Sequence, residues 1–134
     1  MKYTLIASVL LIGLAACSKK QLKKNVVDGT WKITRFVDSG EDKTAAYSNA
    51  TFTFKKNGDL TFQHGQTYMG TWKIEKESDD DHPKNSMEFE IRVSAYESLS
   101  DDWHIESESK NKISLVDYDD DEPSETDYLV LEKV

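Results

Sequence analysis

The sequence predicts an all-β protein: an eight-stranded antiparallel up-and-down β-barrel, preceded by a signal peptide and a short tether. Three observations predict it. From Gly29 onward the dominant hydrophobic period is two, eight short apolar stretches follow one another, and nearly every link between them is short enough for a hairpin. Closure hides the edge strands that a small open sheet would expose. The length, 134 residues with 37% hydrophobic and 31% charged side chains, supports one folded domain rather than a disordered chain or a two-domain enzyme.

Residues 1–16 have the anatomy of a secretory signal: Lys2 near the start, an apolar run over 5–16, and small residues at its end. The run is shorter than the roughly 20 apolar residues that a membrane-spanning helix needs. It closes on Leu14-Ala15-Ala16-Cys17, which resembles the bacterial lipobox, where a peptidase cuts before a cysteine that has received a diacylglycerol. That resemblance implies a mature chain starting at lipidated Cys17, and it makes sense of a cysteine with no partner for a disulfide. Resemblance to sorting patterns adds that Ser18, standing where aspartate signals inner-membrane retention, favours the outer membrane of the bacterial cell envelope. Residues 17–27, with Lys19, Lys20, Lys23 and Lys24 and no acid, read as a basic tether that either rests on anionic headgroups or is merely solvated.

The domain proper spans 28–134, where 12 basic residues face 25 acidic ones, a net charge of −13. So acidic a body, with only Arg35 and Arg92 as arginines, excludes wrapping a nucleic-acid backbone. In the first strand Trp31 and Ile33 alternate with Thr30, Lys32 and Thr34. Residues 51–54 and 60–62 then flank Asn57-Gly58, the strongest short hairpin signal, with both turn positions expected at positive φ. Further strands read at 68–75, 87–93, 103–107, 113–118 and 126–133. In 68–75 Tyr68, Gly70, Trp72 and Ile74 share a face; in 87–93 Met87, Phe89, Ile91 and Val93 share the core face, with Glu88, Glu90 and Arg92 outside. The long link 39–48 is either a short helix or a lid, and 96–99 another helical turn. A pentapeptide, Gly-Thr-Trp-Lys-Ile, occurs at 29–33 and again at 70–74, which reads as two equivalent strand starts.

The Gly29-Thr30-Trp31 start, the second Gly70-Thr71-Trp72, the eight strands and the lipobox together resemble the small lipocalin-like lipoproteins of bacteria, over residues 28–134. The resemblance implies that Gly29 lets the chain turn at the closed barrel end and that Trp31 plugs it. In that family a basic residue of the last strand covers the tryptophan; no arginine follows Arg92 here, and Lys133 is the nearby substitute. Thr126-Asp127-Tyr128 matches another lipocalin motif literally but falls at the last strand, outside its usual place.

No catalytic set emerges. His64, His82 and His104 have no Cys, Ser or Glu motif around them, and no nucleophile elbow or phosphate loop is present. His64 reads as a solvated turn residue or one pointing into the barrel mouth; His104 faces out if Trp103 faces in. Two acidic clusters stand at 79–81 and 117–122. Asp117, Asp119 and Asp121 have calcium-loop spacing, but Glu122 occupies the position where the turn needs glycine and Tyr128 the position of the bidentate glutamate. The loop therefore reads as solvated, and no metal and no cofactor is expected.

The aromatic residues point to function. Phe54, Phe62, Tyr68, Trp72, Phe89, Trp103 and Tyr128 are candidates to line a ligand site, because an eight-stranded barrel is just wide enough to be filled by side chains or to hold one small molecule. The leading expectation is a non-enzymatic, monomeric, lipid-anchored barrel that touches the membrane through Cys17 and binds a small apolar or amphipathic ligand. The rival is a protein-binding envelope module, an inhibitor or assembly factor with a filled barrel, acting through loops 39–48 and 117–125.

Overall fold

In a computed structural model of the chain, residues 19–77 and 86–134 are described. Cys17, Ser18, the leader 1–16, and the cluster 79–81 with His82 lie outside them. The described residues form a closed barrel of eight antiparallel strands with one short extra strand, as the hydrophobic period predicts.

Strand β1 (Trp31–Asp38) buries Trp31, Ile33 and Phe36. A bulge between Ile33 and Arg35 shifts its phase, so that Phe36 rather than Arg35 turns inward. The extra strand β2 (Glu41–Asp42) folds back on the end of β1, and a 3-10 turn over Thr44–Tyr47 follows, so the 39–48 link holds both a hairpin and a helical turn. Then come β3 (Thr51–Phe54), β4 (Asp59–His64), β5 (Gln66–Lys76), β6 (Met87–Val93), β7 (Asp101–Glu108), β8 (Lys112–Asp117) and β9 (Asp127–Lys133), each paired with its neighbour. Pairing of β9 with β1, from Trp31–Lys133 to Val37–Tyr128, closes the ring.

The β3–β4 hairpin stands where Asn57-Gly58 places it, but its turn is of another kind. Gly58 N–H donates to Lys55 O at 3.1 Å and Lys55 N–H to Asp59 O at 2.8 Å, a three-residue loop in which Gly58 alone of the pair has positive φ, +94°. Such a loop needs one left-handed residue, and Asn57 instead accepts the Asp59 N–H on its side chain at 3.0 Å.

The two Gly-Thr-Trp copies are also not equivalent. Trp31 begins β1, whereas Trp72 lies inside β5. Gly29 turns the chain into β1 with φ +88°, while Gly70 is required because a Cβ there would overlap the carbonyl oxygen of Arg92. What the copies share is an inward indole donating to a backbone carbonyl: Trp31 Nε1–H to Val26 O at 2.9 Å, Trp72 Nε1–H to Lys55 O at 2.8 Å.

Of the basic tether, Lys19–Val26 is a helix, α1. Leu22 and Val26, one turn apart, enter the core, while Lys20, Lys23 and Lys24 stay exposed. The helix therefore caps the barrel end that Trp31 occupies. Lys133 Nζ sits 5.0 Å from the Trp31 ring centroid and donates to Asn25 O at 3.3 Å, so the last strand places a cation over the Trp31 ring. No helix among the described residues is long and apolar enough to cross a membrane.

Candidate functional site at the open end of the barrel

Alternation decides which aromatic rings meet. Phe52 and Phe54 of β3, Phe62 of β4, Trp72 of β5, Phe89 of β6 and Trp103 of β7 all fall on inward positions and are buried. Their ring centroids stand 4.7 Å apart for Phe52–Phe62, 5.1 Å for Phe54–Phe89 and 5.8 Å for Phe54–Trp72. These are contact distances between packed rings. Five of the seven lining candidates, Phe54, Phe62, Trp72, Phe89 and Trp103, thus pack into the core, and Tyr68 is half-buried near its upper edge.

Tyr128 is not inside. It pairs with Val37 and Val116 on the outer phase of β9, because Leu129 and Leu131 take the inward positions, and the Arg35 guanidinium lies 4.5 Å above its ring. The reading of Tyr128 as an inward residue is thereby corrected. His104 faces outward beside buried Trp103, as expected, with Nδ1 2.9 Å from Glu77 Oε1.

The open end, opposite α1, is covered by two short 3-10 turns. Leu99, in the turn Glu97–Leu99, is buried and its carbonyl accepts the Trp103 Nε1–H at 3.2 Å. On the other side the turn Thr44–Tyr47 lays Tyr47 across the mouth, its ring stacked on His64 at 4.9 Å and edge-on to Phe36 at 5.0 Å. His64 is therefore not a solvated turn residue. The carbonyl of Ala46 can only accept, so Nε2 carries a proton and donates to it at 2.9 Å, and Nδ1 is hydrogen-bonded to the Tyr96 hydroxyl at 2.9 Å. Tyr96 is hydrogen-bonded in turn to Tyr68.

The rest of that end is acidic. Asp101 opens β7, Asp117 ends β8 and Asp127 opens β9, and these three offer carboxylate oxygens within 4.8 Å of one another. Burial, and then the hydrogen bond and charge shared with Asp101, push the Asp117 carboxyl up to about 7. Asp127 is also raised, by burial and by its acidic neighbours Asp38, Asp101 and Asp119, although its hydrogen bond from Ser39 N–H at 2.6 Å opposes the shift. Asp119 and Asp121, which share calcium-loop spacing with Asp117, do not join the trio; Asp119 Oδ1 accepts the backbone N–H groups of Asp121 and Glu122. Asp101 and Asp127 escape sequence reading because they lie far from Asp117 in the chain, and only the antiparallel register unites them.

The two mouth loops also touch. Gly40 packs so closely on Ser124 that a Cβ would stand 2.8 Å from its carbonyl oxygen, and with the Ser39–Asp127 hydrogen bond this joins 39–48 to 117–126 in one surface. Glu41, Asp42, Asp120, Asp121, Glu122 and Glu125 project from it into solvent. A shallow polar cleft of about 290 Å³ beside it is lined by Asn49, Gln63, Gly65, Gln66 and Thr67.

The fold and the mouth together define a small closed β-barrel with an aromatic core and an acidic end. Among solved structures, the chain is similar to the crystal structure of a DUF4847 family protein from Bacteroides vulgatus, with a TM-score of 0.53 and 17% identity over 83% of this chain and 96% of that one. At that identity the likeness shows the fold. No protein-family model matches the chain, and no curated protein matches it.

Proposed function

We propose that this chain is a lipid-anchored, lipocalin-like lipoprotein of the bacterial cell envelope, and that it acts as a non-enzymatic, monomeric protein-docking module through its acidic open end. The observation that carries the reading is the packed axis: the rings of Phe52, Phe54, Phe62, Phe89 and Trp103 occupy the space a carried molecule would need, at 0–1% exposure. An eight-stranded barrel holds either side chains or one small ligand. Here side chains supply the filling, which favours the protein-binding rival over the small-ligand expectation.

Charge supports the same division of labour. The α1 lysines lie two or more residues beyond Cys17, at the capped end, and the mouth carries a group of exposed carboxylates, Glu41, Asp42, Asp120, Asp121, Glu122 and Glu125. An acylated Cys17 would hold the basic end at the outer membrane, where each lysine near anionic headgroups contributes about 1 kcal/mol. The acidic mouth then points away from the like-charged surface, and its field draws basic partners and speeds their encounter.

The test is a photo-crosslinking residue placed at exposed Asp120 of the full chain in bacterial cells, together with the intact mass of the extracted protein. The reading expects an N-terminal mass that begins at acylated Cys17 and a captured basic protein, lost as ionic strength rises. An unacylated Cys17 would remove the anchor, and capture indifferent to salt would remove the acidic end as the docking surface.

A further inference from the structure

The sheet has a seam. Strands β1 and β3 are laddered only at Trp31–Phe52 and Lys32–Thr51, with Ile33 N–H reaching Ala50 O beyond them, so the two strands diverge toward the mouth. The gap is filled by residues 43–48, which are held mainly by side chains. Thr44 Oγ1 accepts the Phe36 N–H at 3.0 Å, Lys43 Nζ pairs with Asp38 at 2.7 Å, and His64 Nε2 donates to Ala46 O at 2.9 Å. One ladder-like bond, Lys43 N–H to Phe36 O at 2.8 Å, marks where this lid leaves β1.

The lid carries one large side chain toward the barrel, Tyr47. Its ring is stacked on His64 within 17° of parallel, meets Phe36 edge-on, and stands 6.2 Å from Tyr96 at 72°. Phe36, His64 and Tyr96 belong to other segments than the lid, so the three residues would still surround the seat if Tyr47 left it. A ring seated in it makes offset-stacked and edge contacts of the sort aromatic groups prefer. The rim beside it is anionic: Asp38 pairs with Lys43 of the lid, and Asp127 holds Ser39.

We propose that the Tyr47 seat is a docking cup for an aromatic side chain flanked by lysine or arginine on a partner protein, and that Tyr47 is its built-in occupant. This rests on the protein-docking reading above and names the partner's chemistry. The incoming ring displaces Tyr47 from Phe36, His64 and Tyr96, and the flanking cations meet Asp38, Asp101, Asp117 and Asp127. Because Tyr47 competes for the seat, free affinity is lowered by the fraction of molecules in which the lid is closed.

The full chain in detergent micelles is titrated with a lysine-rich peptide bearing a central tryptophan, and with the same peptide bearing alanine there. The tryptophan peptide is expected to bind more tightly, to shift the amide resonances of Ala46 and Tyr96, and to gain about tenfold in affinity in Tyr47→Ala, where the competitor is gone. His64→Phe keeps a ring in the cup but unties Ala46, and it is expected to move in the same direction; it also serves if Tyr47→Ala folds poorly. Equal, salt-sensitive binding of both peptides, unchanged in the variants, would overturn the cup while leaving the acidic docking surface in place. Binding of neither peptide at low salt would overturn both.

Discussion

Gly70 of β5 lies so close to the carbonyl of Arg92 on β6 that a Cβ on it would overlap that oxygen. The neighbouring atom is backbone in a continuous ladder, from Gly70–Val93 to Lys76–Met87, so it has no side chain to move aside. Gly70→Ala must therefore push β5 and β6 apart. We expect a loss of about 2–4 kcal/mol in urea unfolding, in the range of severe core overpacking. Gly29→Ala, strained at φ +88° but with Lys133 side-chain carbons no nearer than 3.6 Å, should lose roughly 1 kcal/mol.

The helix preceding the barrel is integral to the fold. Leu22→Ala should destabilise by about 2–4 kcal/mol, because a buried leucine at 1% exposure leaves a cavity when truncated. Lys23→Ala, one residue on but exposed, should change stability by less than about 0.5 kcal/mol. Equal, small effects in thermal unfolding would mean that α1 does not seat on the barrel.

Trp31→Phe keeps an aromatic ring but removes the indole donor to Val26 O. A buried carbonyl left without its partner costs about 1–3 kcal/mol. The variant should also lose some of the Lys133 contact, whose ammonium now stands 5.0 Å from the ring. A double-mutant cycle of Trp31→Phe with Lys133→Met checks this, and a coupling of at least about 0.5 kcal/mol is expected.

Asp117 makes the mouth sensitive to pH. Its carboxyl, raised by burial and by Asp101, reaches about 7 in the folded chain, against roughly 3.9 unfolded. Between those values the folded state holds a proton that the unfolded state has lost, so this group's contribution falls as pH rises and is gone above its folded value. Asp117→Asn keeps a neutral side chain throughout. It should match the parent near pH 3 and exceed it near pH 8 by about 1 kcal/mol after solvent screening, read from urea midpoints at both pH values.

Most of the barrel was legible because a strand with one wet face writes its burial directly into alternation. The Met87–Val93 strand shows this: Phe89, Ile91 and Val93 are buried, and Arg92 is exposed. The same rule, applied strictly, places Tyr128 outside, since Leu129 and Leu131 hold the inward phase; ring size alone misleads. Phase itself is hidden where a bulge intervenes, as between Ile33 and Arg35, which turns Phe36 inward. Helix α1 was obscured by its four lysines, and its one signal was the spacing of Leu22 and Val26. Strand β2 is two exposed acids with no hydrophobic pattern to read. The mouth was least legible. Asp101, Asp117 and Asp127, or Tyr47 and His64, are brought together by register and by loop path, which local periodicity does not record.

The occupancy of the barrel axis tests the central claim most directly. Native mass spectrometry of the full chain, extracted gently from envelopes, should give the mass of the acylated polypeptide alone, with Phe52, Phe54, Phe62, Phe89 and Trp103 filling the lumen. A stoichiometric apolar molecule that remains bound through extraction and leaves only on unfolding would contradict it.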